Sequence, residues 1–102
     1  MICSLYTLFS YMRYQVSSPR IEIYTTLLCP YCHMAKKLLK QKNLAFDEID
    51  VTADAETRRI MTKRAEGRHT VPQIFINDMA IGGCDDLMAL EQNGKLEQLL
   101  QL

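Results

Sequence analysis

From Ile21 to Thr25 apolar and polar positions alternate and β-branched side chains dominate, so this stretch predicts a first strand. The period then changes. Between Pro30 and about Lys42, Met34, Ala35, Leu38 and Leu39 recur at helical spacing, with Lys36, Lys37, Lys40 and Lys42 on the opposite, water-facing side. Pro30 suits the first helical turn, where its missing N–H costs nothing, and Asn43 is a stop. A second strand is expected over 46–51. Thr52 is then read as the cap of a helix with Asp54 and Glu56 early and Arg58, Arg59, Lys63 and Arg64 late, an order that complements the helix dipole, and with Gly67 at its end. Residues 73–76 and 79–81 predict two short strands joined by an Asn77-Asp78 turn, and Gly82-Gly83 breaks the pattern. Asp85 and Asp86 lead a helix carrying Leu87, Met88 and Leu90. Gly94 ends it, and Leu96, Leu99 and Leu100 mark a short final one.

The order strand–helix–strand, helix, two strands, helix demands an α/β fold: a parallel pair with a right-handed crossover, a hairpin added antiparallel, and a four-stranded mixed sheet with helices on both faces. Upstream, Leu5, Leu8, Phe9, Met12 and Val16 also fall at helical spacing, compatible with a short amphipathic helix. Ser17-Ser18-Pro19 reads as a linker, which divides an N-terminal extension of unknown role (1–19) from one domain (20–102). The extension lacks the basic start of a secretory signal, and a dispensable tail or an upstream start codon is its simplest reading.

Composition narrows the function classes. Twelve basic and twelve acidic residues give zero formal net charge, which argues against a nucleic-acid partner. No apolar stretch is long enough to span a bilayer, so no membrane partner is expected. The four cysteines do not form a disulfide framework: Cys29 and Cys32 share one C-x-x-C, Cys3 lies in the extension and Cys84 stands alone. A reducing compartment, the cytoplasm, is the natural home for a thiol pair that must cycle.

Cys29-Pro30-Tyr31-Cys32 follows a strand and opens a helix. A thiol there faces unpaired backbone N–H groups and the positive end of the helix dipole, and both favour the thiolate, the nucleophilic form. A second thiol one turn on can reach back and close a disulfide. Pro30 stiffens the loop. A single C-x-x-C lacks the second ligand pair of a structural zinc site, and His33 and His69 read as a solvent-facing helical residue and a loop residue. Taken alone, the motif is a redox device open to thioredoxin-like, metal-binding or iron–sulfur chemistry. Two further features bear on it. Thr70-Val71-Pro72 precedes a strand, and Gly83-Cys84-Asp85 opens a helix whose backbone N–H groups suit a carboxylate while Asp85 suits an ammonium. Plain alternatives are a strand-initiating proline and helix capping by Asp85 and Asp86.

Together, Cys29-Pro30-Tyr31-Cys32, Thr70-Val71-Pro72 and Gly82-Gly83-Cys84-Asp85-Asp86, in this order and spacing, make residues 20–102 resemble the glutaredoxins of the dithiol, bacterial type. The resemblance implies a thioredoxin-like fold and a glutathione-dependent thiol–disulfide oxidoreductase. Cys29 is then the nucleophile and Cys32 the resolving thiol. It implies a glutathione site made by Cys29, Tyr31, Thr70, Val71, Pro72, Gly83, Cys84 and Asp85, with Pro30 and Thr26 supporting. In the family the Val–Pro bond is cis, the valine backbone pairs with the cysteinyl part of glutathione, and the Gly83-Cys84-Asp85 loop holds its γ-glutamyl end. Cys84 itself is expected to be inert or modulatory. Glutathione is thus the expected co-substrate, glutathionylated or disulfide-containing proteins the clients, a monomer the expected state, and no metal is expected. Alternatives are a thioredoxin-reductase-coupled redoxin and a glutathione-ligated iron–sulfur carrier, the latter disfavoured by Pro30. One departure matters: many glutaredoxins carry Lys where this chain has Thr26, so weaker glutathione binding and a less activated Cys29 are expected, with Arg68 and Lys63 as substitute cations.

Overall fold

The computed structural model describes residues 18–101. The helical stripe read at Leu5–Val16 lies outside them. Four strands, β1 (Ile21–Thr25), β2 (Asp47–Asp50), β3 (Gln73–Ile76) and β4 (Met79–Gly82), form one sheet in the order β2-β1-β3-β4. Four helices follow in chain order: α1 (Pro30–Gln41), α2 (Ala55–Arg64), α3 (Cys84–Gln92) and α4 (Lys95–Leu100). β1 runs parallel to β2 and antiparallel to β3, and β3 pairs antiparallel with β4.

β1 is buried at every residue because it is paired on both edges and covered on both faces. Its alternation sorts the core. Ile21 and Ile23, with Ile74 and Ile76 of β3, pack against Ala35 and Leu39 of α1, Leu87 of α3 and Leu96 and Leu100 of α4. Tyr24 and Phe75 point the other way, against Val51 and against Met61 and Ala65 at α2. That second face also takes in Glu22, which remains tolerable because Arg64 of α2 reaches it at 3.0 Å. The same guanidinium donates to the Tyr24 hydroxyl at 2.9 Å and lies 4.1 Å from the centre of the Phe75 ring, so α2 is fastened to the sheet by one side chain.

Several boundaries differ from the pattern reading. β2 covers only 47–50. α2 is capped by Asp54, whose carboxylate accepts from the Thr57 N–H at 3.0 Å, and not by Thr52. Thr52 instead bonds Asp50, and its hydroxyl accepts from the Leu27 N–H at 2.7 Å. α2 stops at Arg64, and the reversal is made by Glu66 and Gly67, both at positive φ (58° and 98°). Met34 is half exposed rather than inward, because the buried stripe of α1 runs through Cys32, Ala35 and Leu39, one helical step aside. Two of the lysines read as water-facing are engaged: Lys36 pairs with Glu48 at 2.9 Å, and Lys42 sits between Glu91 and Glu97, tying the end of α1 to α3 and α4. The Asn77-Asp78 turn is as expected, with both residues at positive φ (50° and 67°), the backbone that a tight two-residue hairpin requires.

The stripe on α1 yields a paired expectation. Leu39→Ala should lower unfolding stability by about 2–5 kcal/mol, whereas Met34→Ala should change it by less than about 0.5 kcal/mol; urea melts of both variants measure the contrast.

Candidate active site

The chain leaves β1 through a short loop, residues 26–28, whose position is set by the Leu27 N–H bond to Thr52. Cys29 follows as the N-cap of α1. Its backbone is extended (φ −137°, ψ 100°), its carbonyl accepts from the His33 N–H at 3.2 Å, and its Sγ accepts from the Cys32 N–H at 3.1 Å. A sulfur thus fills the place of the usual capping oxygen, with a backbone donor aimed at it. Pro30 begins the helix.

Cys32 lies one turn inside and is buried. Burial, reinforced by the hydrogen bond and charge of Cys29, pushes its thiol up to about 12; a backbone hydrogen bond from Thr26 and the charge of Lys36 oppose this only partly. The two sulfurs therefore differ in kind: one faces a donor at the helix start, while the other holds its proton.

Two distant segments close around Cys29. The first is Thr70-Val71-Pro72, brought beside it by the antiparallel pairing of β1 and β3. The Val71–Pro72 bond is cis, and the Val71 carbonyl lies 3.8 Å from Cys29 Sγ, which donates to it as a thiol. This segment is braced by groups the sequence reading did not single out for the site. The buried Gln73 donates to the Thr70 hydroxyl at 3.2 Å, and Arg58 donates to the His69 carbonyl at 3.1 Å. A buried Gln directly after a Pro at a strand start is the one signal that marked the first of these.

The second segment is the start of α3. Gly83 is its N-cap, and Asp86, not Asp85, does the capping: the Asp86 carboxylate accepts from the Gly83 N–H at 2.9 Å and from Arg68 at 3.1 Å. The Gly83 N–H lowers the Asp86 carboxyl below its ordinary value, and Arg68 adds to this. Gly82 makes the arrangement fit. It sits at φ 114°, and a Cβ there would strike the Asp86 carboxylate and the Arg68 guanidinium. Asp85 is exposed, with no hydrogen bond or ion pair among the described residues, which leaves its carboxylate available. Cys84 is buried, and that burial, with the nearby Asp85, pushes its thiol up.

Between these segments lies an open groove of about 430 Å³, lined by Tyr31, Thr70, Val71, Pro72, Gly83, Cys84 and Asp85 together with Arg68 and Asp86. The structure therefore gathers seven of the eight residues of the expected glutathione site around one groove, with Cys29 beside it. Thr26 meets Cys32 through its backbone and does not line the groove, and Lys63 is also outside it. No group of three or more His, Cys, Asp or Glu side chains that could hold a metal ion occurs among the described residues, and no helix there is long and apolar enough to cross a membrane.

The raised Cys32 thiol has a consequence for stability. Over the interval from the ordinary value of 9.0 up to about 12, the unfolded chain gives up this proton while the folded protein keeps it. The contribution is intact below pH about 9 and is lost as pH rises toward 12. Urea melts across this range should show a steeper alkaline loss of stability in the wild type than in Cys32→Ser.

The glutaredoxin family model matches residues 21–81, more than half of the chain. Glutaredoxin 3 of Escherichia coli K12 is 53% identical over 81 residues, 79% of this chain and 96% of that protein. A probable glutaredoxin of Synechocystis is 51% identical over 83 residues, 81% of this chain and 94% of the relative. Among solved structures, the solution structure of a Brucella melitensis glutaredoxin superposes with a TM-score of 0.73 at 52% identity, covering 83% of this chain and 91% of the other. A buckwheat glutaredoxin–glutathione complex gives 0.72 at 28% identity, covering 94% and 89%. The mixed four-stranded sheet is that of the thioredoxin-like fold these structures share. The chain belongs to the glutaredoxin family and is a thiol–disulfide oxidoreductase.

Proposed function

We propose that Cys29 is the attacking thiol, that Cys32 resolves, and that the adjacent groove holds glutathione as co-substrate. The observation that carries this reading is the asymmetry of the two sulfurs: Cys29 Sγ receives a backbone N–H at 3.1 Å at the start of α1 beside the groove, while Cys32 lies one turn inside and is the more deeply buried. In a glutathionyl mixed disulfide, Cys29 thiolate attacks the glutathionyl sulfur. The S–S bond breaks, and the client leaves as a thiolate that takes up a proton. A second glutathione thiolate then attacks the Cys29-bound sulfur, giving glutathione disulfide and free Cys29. On a protein disulfide, Cys32 gives up its proton and attacks Cys29 in the mixed intermediate; the client leaves reduced and the Cys29–Cys32 disulfide remains.

The groove offers what each part of glutathione needs. The Val71 backbone beside Cys29 can pair with the cysteinyl backbone as a strand would. The N-terminus of α3 suits the γ-glutamyl carboxylate, and the unpaired Asp85 suits its ammonium. The ring of Tyr31, more than half exposed, borders the groove. Arg68 is the cation there, but it is already paired with Asp86. With Thr26 in place of a lysine, the glycyl carboxylate lacks a dedicated partner. A thiol pair that must cycle fits the reducing cytoplasm.

Turnover of a glutathionylated substrate, coupled to glutathione disulfide reduction, tests the roles. Cys29→Ser should abolish reduction of both glutathionylated and protein-disulfide substrates. Cys32→Ser should retain the first and lose the second. Deglutathionylation that survives in Cys29→Ser would falsify the assignment. Thr26→Lys should lower the KM for glutathione by up to about fivefold, the scale of one exposed ion pair.

A further inference from the structure

Four of the six large apolar side chains that stand exposed among the described residues fall between residues 27 and 34: Leu27, Leu28, Tyr31 and Met34. Leu28 is 92% exposed and Leu27 66%, the extreme values of the set. Of these, Tyr31 borders the groove and Met34 lies along α1, while Leu27 and Leu28 stand side by side in the loop that delivers the reactive sulfur.

Its position is fixed by the fold. The groove is built from the start of β3 and the segment after β4, on one side of β1. The loop carrying Leu27 and Leu28 is held to the other side, where the Leu27 N–H bonds Thr52 just beyond β2. Cys29 therefore has two unlike flanks. The backbone bond sets the loop's course while both leucine side chains remain exposed.

The second flank carries no acidic or basic side chain of its own. Residues 26–35 contain no Asp, Glu, Lys or Arg. Neighbouring elements bring Asp50, a carboxylate that accepts from the Thr52 backbone and hydroxyl and keeps its negative charge, and Lys36, whose charge is offset by Glu48 at 2.9 Å. The disulfide exchanged at Cys29 has two halves. If one fills the groove, the client half departs in line, away from Cys29, and its neighbouring residues lie over the exposed surface around the sulfur, of which this apolar flank is the part outside the groove.

We infer that the Leu27–Leu28 flank is the docking surface for the client half of the disulfide, and that it selects protein segments bearing apolar rather than acidic side chains next to the reacting cysteine. The inference rests on Cys29 as the attacking thiol with glutathione in the groove. Partial burial of the two leucines against a client side chain supplies the selection, and the neighbouring Asp50 carboxylate meets an acidic segment with repulsion rather than with a partner to offset its desolvation.

The test compares the wild-type full chain with a Leu27→Gln/Leu28→Gln double variant, which keeps the local charge unchanged. Three S-glutathionylated substrates are used: cysteamine, a short peptide with Leu and Phe beside the cysteine, and the same peptide with Asp at those positions. The wild type should favour the apolar peptide over the acidic one by about tenfold in kcat/KM, a modest gain for leucine burial. The double variant should bring this ratio to within about twofold while turning over glutathionylated cysteamine at the wild-type rate. A ratio retained in the variant, or absent from the wild type, overturns the inference. So does a loss on all three substrates alike, which would make the loop a support for the sulfur only. A gain on both peptides would show residues 1–17 covering the flank, and a wild-type dimer broken by the substitutions would show a second copy there; either result overturns client docking. Failure of the wild type to turn over glutathionylated cysteamine would instead overturn the reading of Cys29 and the groove.

Discussion

The hydrogen bond from the Cys32 N–H to Cys29 Sγ is the constraint on which the site depends, because it serves folding and chemistry at once. A helix start leaves backbone donors that need an acceptor, and most proteins supply a side-chain oxygen. Here the acceptor is the reactive sulfur. The residue that starts the helix and the residue beside the groove are thus one and the same. The cost falls on Cys32: the same turn that aims its N–H at Cys29 takes its thiol into the core, where charge is unwelcome. One turn of helix thus makes two chemically similar side chains unequal.

That turn is held still by the sheet behind it. β1 ends immediately before the loop, and its burial on both faces leaves little room for the loop to shift. The Arg64 guanidinium fixes α2 to Glu22, Tyr24 and Phe75, while Lys42 fixes the far end of α1 to α3 and α4. The first interaction braces the sheet under the site. The second joins the helix that carries the thiols to the helix whose start walls the groove, so both edges of the site belong to one packed unit.

Much of this could be read from the chain. The alternation of β1, the stripe on α1 and the Asn77-Asp78 turn are local signals, and local geometry honours them. The misreadings occurred where two residues competed for one backbone role. Thr52 and Asp54 are both good caps, and the choice went to the residue whose carboxylate meets the Thr57 N–H, freeing Thr52 to hold the active-site loop. Asp85 and Asp86 both begin α3, but with Gly83 as the cap it is Asp86, three positions on, that can reach back. That rule was available once the helix start was known, and the start itself was ambiguous between adjacent residues. Met34 sits at the border of the α1 stripe, where periodicity alone cannot decide. The groove was legible only through resemblance. Cys29 and Val71 lie 42 residues apart in sequence, and no local pattern announces that strand pairing will bring them together.

Gly82 illustrates how such a site can depend on something that never touches a ligand. The space beside its backbone is occupied by a carboxylate and a guanidinium that belong to other residues, so the missing side chain is itself part of the architecture. Variation at this position would reach the groove indirectly, by displacing Asp86 from the start of α3 and Arg68 from Asp86. The empty position beside this backbone thus counts among the site's working parts, although a catalogue of functional groups would pass over it.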